Sequence, residues 1–246
     1  MKKNERYPCL DTLRGYTLFS MVVYHAMWDI VYIKGVHIEW FHSVFACIWQ
    51  QSICWTFILL SGFCWNLGKR KVIRGGVIFS AGILVSFVTE IFIPQQKISF
   101  GVLTFLGSSM LIMIPLNQKL RRTPPLLGMS LSMLVFVVTK SINNGSIGLG
   151  QSMTFKLPPG WYHKGYLMTF LGFPNKDFVS SDYFSLFPWF FLFLSGYYAY
   201  GIALETGIMD KLKACRMDNS FFRFLGRHSL LFYLLHQPFL YLMIQL

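Results

Sequence analysis

The sequence predicts an all-α protein: a polytopic transmembrane helical bundle of about seven spans, with a cytoplasmic N-terminus and the C-terminus outside. Hydrophobic residues make up 54% of the 246 residues and charged residues only 13%, and the mean hydropathy is +0.48. A soluble protein carries about twice that share of charge. Apolar stretches of about 20 residues, the length that crosses a bilayer, recur along the chain with basic segments between them.

The apolar stretches locate the individual spans. We expect them at about residues 15–33, 47–67, 75–93, 99–116, 125–141, 185–204 and 226–245. The third stops at Pro94, because proline cannot continue a helical ladder. With one exception the connections are short, so we predict a single integral membrane domain over residues 1–246.

The distribution of basic residues orients the predicted bundle. With the N-terminus in the cytoplasm, the inner segments hold 16 of the 22 lysines and arginines. These are Lys2, Lys3, Arg6, Arg14, Lys69, Arg70, Lys71, Arg74, Lys119, Arg121, Arg122, Lys211, Lys213, Arg216, Arg223 and Arg227. This bias follows the positive-inside rule, and an odd number of spans then leaves the C-terminus outside. It also explains the formal charge of +12, so we expect no nucleic-acid partner.

The N-terminus and the longest connection of the predicted topology carry further expectations. The N-terminal MKKNERYP is basic, but no small-residue cleavage site follows it, so we expect the first helix to remain as an anchor. The longest connection, about residues 142–184, lies outside and is rich in aromatic residues. Long loops in compact proteins are usually functional or disordered, and this composition favours a folded lid over the outer mouth.

The first span carries ionisable groups where a lipid-facing helix should have none. Asp11, Arg14, His25 and Asp29 fall within an arc of roughly 60° on one helix. Such groups usually face a protein interior or a wet cavity and mark a functional path.

His25 and Asp29 are one helical turn apart, so their side chains can touch. A carboxylate beside an imidazole is typical of a general base and its orienting partner. Arg14 lies roughly 16 Å away along the same face and suits the anionic end of a long ligand. Alternatively, Asp11 and Arg14 form an interfacial salt bridge, and the deeper pair only joins helices.

Other histidines offer further candidates. His37 and His42 lie near Glu39, but their spacing fits no standard zinc pattern, and ordinary solvation explains them equally. The five cysteines form no CxxC pair, so we expect no metal. In the last span, Pro238 frees a backbone carbonyl that His236 and Gln237 could satisfy, or these two residues could line the cavity of His25.

Two residues of the outer region are candidates for contact with a sugar. Trp189 lies in an aromatic segment, FPWFF, that follows Asp182. An interfacial aromatic belt is one explanation of this segment, and an aromatic floor for a sugar ring is the other.

Five blocks in order carry a resemblance over nearly the whole chain. They are LDTLRGYTLFSMVVYHAMWD, ILLSGFCWNLGKRKVIRGG, ISFGVLTFLGSSML, SDYFSLFPWFFLFLSGYYAYG and FLGRHSLLFYLLHQP. Together they resemble the bacterial branch related to the catalytic domain of heparan-alpha-glucosaminide N-acetyltransferase. The first block is also similar to the membrane acyltransferases that O-acetylate surface polysaccharides.

The resemblance implies a multi-pass acyltransferase that moves an acetyl group from cytoplasmic acetyl-CoA to a sugar on the far side. An arginine and a histidine of the first helix matter in the O-acetylating relatives, and Arg14 and His25 occupy those places. In the eukaryotic glucosaminide enzyme the acetyl-handling histidine lies just past that helix, where His37 is the nearest match. The chain lacks that enzyme's luminal domain, so we expect a bacterial plasma membrane and an acceptor that need not be heparan.

These observations define the expected site. The catalytic candidates are His25, Asp29 and His37; the donor-binding candidates are Arg14, Asp11, Lys71 and Arg74; and the acceptor-binding candidates are His236, Asp182 and Trp189. The expected partners are acyl-CoA, a carbohydrate acceptor, the lipid bilayer and a possible second copy of the chain. Two other classes of function remain open: a proton-coupled transporter or flippase for a glycan or lipid-linked sugar, and an accessory scaffold. The chain shows no inverted repeat of the kind many transporters have.

Overall fold

The structure, a computed structural model, describes residues 7–149, 153–215 and 219–245. Its helices are α1 (Pro8–Tyr32), α2 (Val44–Trp65), α3 (Lys71–Phe92), α4 (Val102–Leu120), α5 (Pro125–Thr139), α6 (Tyr166–Leu171), α7 (Leu186–Glu205), α8 (Ile208–Ala214), α9 (Ser220–Arg227) and α10 (Ser229–Gln245). Two short antiparallel strands are β1 (Ser146–Leu149) and β2 (Met153–Lys156). Four of the predicted inner basic residues, Lys2, Lys3, Arg6 and Arg216, lie outside the described residues.

The helical prediction is confirmed, since a helix overlaps each predicted span. Within the described residues, α2, α3, α7 and the helix that begins at Pro125 are long and apolar enough to cross a membrane. The other three predicted spans fall on α1, α4 and the shorter apolar α10. The number of seven spans and the orientation of the termini therefore stay predictions.

The seventh predicted span, 226–245, begins in one helix and continues in another. The backbone of His228 leaves the helical region, with φ −105° and ψ 24°, and this separates α9 from α10. The side chain of Asn219 accepts hydrogen bonds from the backbone N–H groups of Phe221 and Phe222 and so caps the start of α9.

The predicted outer loop is folded in its described part. It contains the β1–β2 hairpin, α6 and two 3-10 turns, Ile142–Asn144 and Pro159–His163. The hydroxyl of Tyr162 donates to the carbonyl of Ile142, and that of Tyr183 donates to the carbonyl of Thr169. Burial raises the pKa of both phenols, so they stay protonated and keep donating at neutral pH.

The chain forms two compact units. Unit 1 comprises Met1–Leu60 and Ala203–Leu246, and unit 2 comprises Ser61–Ile202. The single membrane domain over 1–246 stays a prediction.

Unit 1 is built around α1. This helix packs against α9 and α10, and its core includes Leu18, Met21, Ile53 and Leu225. Glycines let α1 and α9 approach closely: a Cβ built at Gly226 would lie 1.8 Å from the carbonyl oxygen of Asp11. The obstructing atom belongs to the backbone, so no side-chain movement could make room for it.

Unit 2 contains an antiparallel helix pair. Gly82 of α3 lies against Thr104 of α4, and Gly107 of α4 lies against Phe79 of α3. An earlier residue of α3 therefore contacts a later residue of α4. The two helices are antiparallel, so the start of α3 and the end of α4 lie at the same end of the pair. The helices pack closely because these glycines have no side chains, as is common between helices in lipid.

Replacing Gly226 tests the close approach of α1 and α9. We expect Gly226→Ala to destabilise the protein by about 1–3 kcal/mol, because the new methyl group must displace backbone. Gly76→Ala in α3 is the matched control, since a Cβ there meets nothing within 4 Å. Thermal unfolding of both variants in detergent, followed by tryptophan fluorescence, measures the difference; equal melting temperatures would contradict this packing.

Candidate functional site

The polar stripe of α1 faces other helices of unit 1. Asp11 contacts α9 through Arg227, His25 contacts α10 through His236, and Asp29 contacts α10 as well. Within unit 1, these ionisable groups therefore meet polar partners on neighbouring helices.

Asp29 is the most buried charged residue of the stripe. Its side chain has no exposed surface, and both carboxylate oxygens accept hydrogen bonds from Nε2 of Gln237, at 3.1 and 3.2 Å. A buried carboxylate without such a donor is strongly destabilising, so this contact joins α1 to α10. The side-chain oxygen of Gln237 is itself buried and finds no partner among the described residues.

His25 and His236 form a pair of imidazole rings beside this link. The ring centroids are 5.0 Å apart, with an interplanar angle of 57°. Nδ1 of His236 lies 2.6 Å from the carbonyl oxygen of Tyr233. Because a carbonyl can only accept, Nδ1 carries the hydrogen and Nε2 of the neutral ring presents a lone pair.

That lone pair is the unusual feature of the site. Nε2 of His236 is buried and has no hydrogen-bond partner in the described part of the chain. Buried polar atoms are nearly always paired, and an unpaired one calls for an explanation such as a ligand, a water or a catalytic role. Two such atoms lie on the adjacent residues His236 and Gln237.

The structure brings together some of the expected catalytic residues. His25 and Asp29 both lie on the α10 side of α1, but in the described residues Asp29 accepts from Gln237 and the ring of His25 contacts that of His236. Sequence reasoning missed that Gln237 is the partner of Asp29 and that the carbonyl of Tyr233 is the partner of His236. The HQP motif places Gln237 beside His236, but only the packing of α10 on α1 shows which carboxylate it meets.

Arg14 takes part in an ion-pair cluster. Its guanidinium lies 3.4 Å from Asp11, whose other oxygen lies 3.6 Å from Nε of Arg227. The predicted alternative, an Asp11–Arg14 salt bridge, is thus present, and Arg227 joins it. Two guanidiniums share one carboxylate here, so the cluster keeps a net positive charge beside the partly buried Arg14.

His37 lies away from these rings, in the exposed connection after α1. Its ring stacks on that of His42, with centroids 5.9 Å apart and an interplanar angle of 21°. In the ranges that the structure describes, no three histidine, cysteine, aspartate or glutamate residues come close enough to hold a metal ion. The absence of a metal stays a prediction.

The donor-binding candidates Lys71 and Arg74 belong to unit 2. Nζ of Lys71 lies 3.4 Å above the ring of Trp65, a cation–π contact. Arg74 donates to the carbonyl of Cys64, across the turn between α2 and α3.

The two outer acceptor candidates make structural contacts in unit 2. Asp182 accepts a hydrogen bond from the backbone N–H of Val102, at 3.1 Å, and so caps the start of α4. Trp189 packs against the rings of Phe136 and Phe184.

Comparison with known proteins identifies one family. The family model described as heparan-alpha-glucosaminide N-acetyltransferase, catalytic, matches residues 6–238. The match therefore includes the whole His25–Asp29–His236–Gln237 cluster. No curated protein and no solved structure shows a significant match to the chain.

Replacing Gln237 tests the link between α1 and α10. We expect Gln237→Met to lower the stability by about 1–3 kcal/mol, because it leaves the buried carboxylate of Asp29 without its donor. Gln118→Met, at an exposed position of α4, makes the same chemical change without that loss. Thermal unfolding of the purified variants measures both effects, and an unaffected Gln237→Met protein would show that the carboxylate has other support.

Proposed function

Since the chain belongs to the heparan-alpha-glucosaminide N-acetyltransferase catalytic family, we propose that it transfers an acetyl group across the membrane. The donor is cytoplasmic acetyl-CoA, and the acceptor is a hydroxyl or amine of an extracytoplasmic glycan. The observation that carries this proposal is the buried His25–His236 pair with its unpartnered Nε2. The protein then works as a multi-pass enzyme of the plasma membrane.

The reaction needs a base beside the thioester. His25 removes the proton of the acceptor hydroxyl or amine as its oxygen or nitrogen attacks the thioester carbonyl carbon. The tetrahedral intermediate collapses, the carbon–sulfur bond breaks, and the CoA thiolate takes the proton from His25. The products are the acetylated sugar and free CoA, and the base returns to its neutral form.

His236 positions the acceptor in this proposal. Its Nε2 lone pair accepts a hydrogen bond from the acceptor, and the bond from Nδ1 to the carbonyl of Tyr233 holds the ring in that tautomer. Asp29 acts through Gln237, because their hydrogen bonds hold α10 against α1 and keep His236 beside His25. Asp29 is thus a positioning residue.

The anionic end of the donor requires cations. Arg14 lies 11 residues before His25 on α1, a rise of roughly 16 Å, which is comparable to the reach of an extended pantetheine arm. We propose that Arg14 binds phosphate of CoA and that Asp11 orients Arg14. Lys71 and Arg74 of unit 2 stay donor-binding candidates.

The remaining candidates take different places in the proposal. His37 is exposed in the outer loop and is the second candidate base, as the family resemblance implies. The contacts of Asp182 with α4, and of Trp189 with its aromatic neighbours, support structural roles, so we leave both out of the acceptor site.

Replacing His25 tests the proposed chemistry. We expect His25→Ala to lower acetyl transfer at least about 100-fold, the usual contribution of a general base, while the protein keeps its fold. His163→Ala is the matched control, because His163 is exposed on the outer loop. The assay follows release of CoA thiol from acetyl-CoA by purified protein with chitosan oligosaccharides and other amino or neutral sugars as acceptors. Unchanged turnover in His25→Ala would rule out this assignment and direct attention to His37.

A second pair of variants separates the histidines. We expect His236→Ala to raise the KM for the acceptor more than it lowers kcat, since His236 positions rather than reacts. Loss of activity in His37→Ala with full activity in His25→Ala would contradict the proposed base. Proton-driven sugar uptake into liposomes without CoA, together with no thiol release, would favour a transporter instead.

A further inference from the structure

Two cysteines from distant parts of the chain meet in unit 1. Cys9 lies in the first turn of α1, and Cys215 directly follows the end of α8. Their sulfur atoms are 3.0 Å apart, with the thiol of Cys215 donating to the sulfur of Cys9. The two residues are 206 positions apart in the sequence, so the folding of unit 1 brings them together.

The segments that carry the two sulfurs have defined positions. α8 contacts α1, and its Met209 is buried, as is Tyr7 immediately before α1. Gly207 turns the chain into α8 with φ 70°, a left-handed conformation that favours glycine. The backbone of Cys215 is extended and ends that helix. The contact between the sulfurs therefore joins two ordered pieces of backbone.

The geometry and the exposure of this pair suit a covalent link. Both side chains are thiols in the structure, and both are partly exposed, so a small oxidant can reach them. A disulfide bond is about 2.05 Å long, so the two sulfurs need to approach one another by only about 1 Å. Cys64 of unit 2, in contrast, is buried.

We propose that Cys9 and Cys215 form a reversible disulfide that joins the first helix to the segment after α8. The oxidant is a low-molecular-weight disulfide such as oxidised glutathione. With the N-terminus in the cytoplasm, as the charge bias predicts, the glutathione pool keeps the pair reduced, and the link forms when that pool becomes oxidised. This proposal does not rest on the acetyl transfer proposed above.

The reaction consists of two thiol–disulfide exchanges. The thiolate of one cysteine attacks oxidised glutathione, whose S–S bond breaks, and a mixed disulfide and one glutathione thiolate result. The second cysteine then attacks the protein sulfur of the mixed disulfide and expels the other glutathione thiolate. The two cysteine protons end on the two glutathione thiols. The protein loses the two electrons that oxidised glutathione gains.

The two sulfurs differ in the order of attack. The hydrogen bond with Cys215 and burial raise the pKa of Cys9 to about 11, so Cys9 keeps its proton at neutral pH. Because the thiolate is the attacking form, the first exchange falls to Cys215. Cys9 then gives up its proton as it displaces glutathione.

Oxidation of the purified full chain in detergent tests the link. The fully reduced protein is incubated with oxidised glutathione, its remaining thiols are counted after unfolding, and its disulfides are mapped by proteolysis and mass spectrometry. We expect two of the five thiols to disappear and one linked pair of peptides to contain Cys9 and Cys215. Reduced glutathione in excess should restore both thiols.

Matched variants assign the link to these two residues. Cys9→Ser/Cys215→Ser should keep its three remaining thiols under the same treatment, whereas Cys47→Ser/Cys54→Ser, which removes two other thiols of unit 1, should still lose two. The single variants test the order of attack. Cys9→Ser should accumulate the mixed disulfide on Cys215, and Cys215→Ser should react slowly; the reverse pattern would contradict this order.

Two results would overturn the proposal. One is survival of all five thiols in the wild-type protein, or linkage of either residue to another cysteine instead. The other comes from thermal unfolding. We expect the oxidised protein to melt no lower than the reduced one, because closing so long a loop restricts the unfolded chain. A lower melting temperature after oxidation would show that the folded chain cannot accept the bond.

Discussion

One buried carboxylate determines how unit 1 is arranged. Asp29 has no exposed surface, and a charge in that position is tolerated only with a hydrogen-bond donor against it. Gln237 supplies that donor to both oxygens, and so aligns α10 with α1. The residue before Gln237 is His236, so the same alignment sets its ring beside His25. The contact that offsets the burial of charge thus also builds the imidazole pair.

The ionisable side chains of α1 are separated along the helix according to their charge. Near its start, Asp11 lies between the guanidiniums of Arg14 and Arg227, and the cluster keeps net positive charge. About three turns further on, the helix presents His25 to the buried ring of His236. A ligand with an anionic end and a distant electrophilic carbonyl fits this order of groups. Acetyl-CoA, the donor that we propose, is a ligand of this kind.

Sequence periodicity predicts some features of this protein and not others. A helix overlaps every predicted span, because a run of about 20 apolar residues is itself the physical requirement. The polar stripe on α1 follows from spacing along one helix. The partners of that stripe do not: Gln237 is 208 residues from Asp29, and its role depends on packing between distant segments. Likewise, the sequence shows Asp182 only as an isolated acidic residue of the predicted outer loop. The structure shows that its carboxylate accepts from the backbone N–H of Val102.

The distance in sequence between Asp29 and Gln237 has a consequence for biosynthesis. The carboxylate leaves the ribosome with the first helix, whereas its donor is made with the last. The buried carboxylate can therefore acquire this donor only after a segment 208 residues further along the chain has been made. Until then nothing from α10 can offset the burial of Asp29, so the final packing of α1 depends on a part of unit 1 that is synthesised much later.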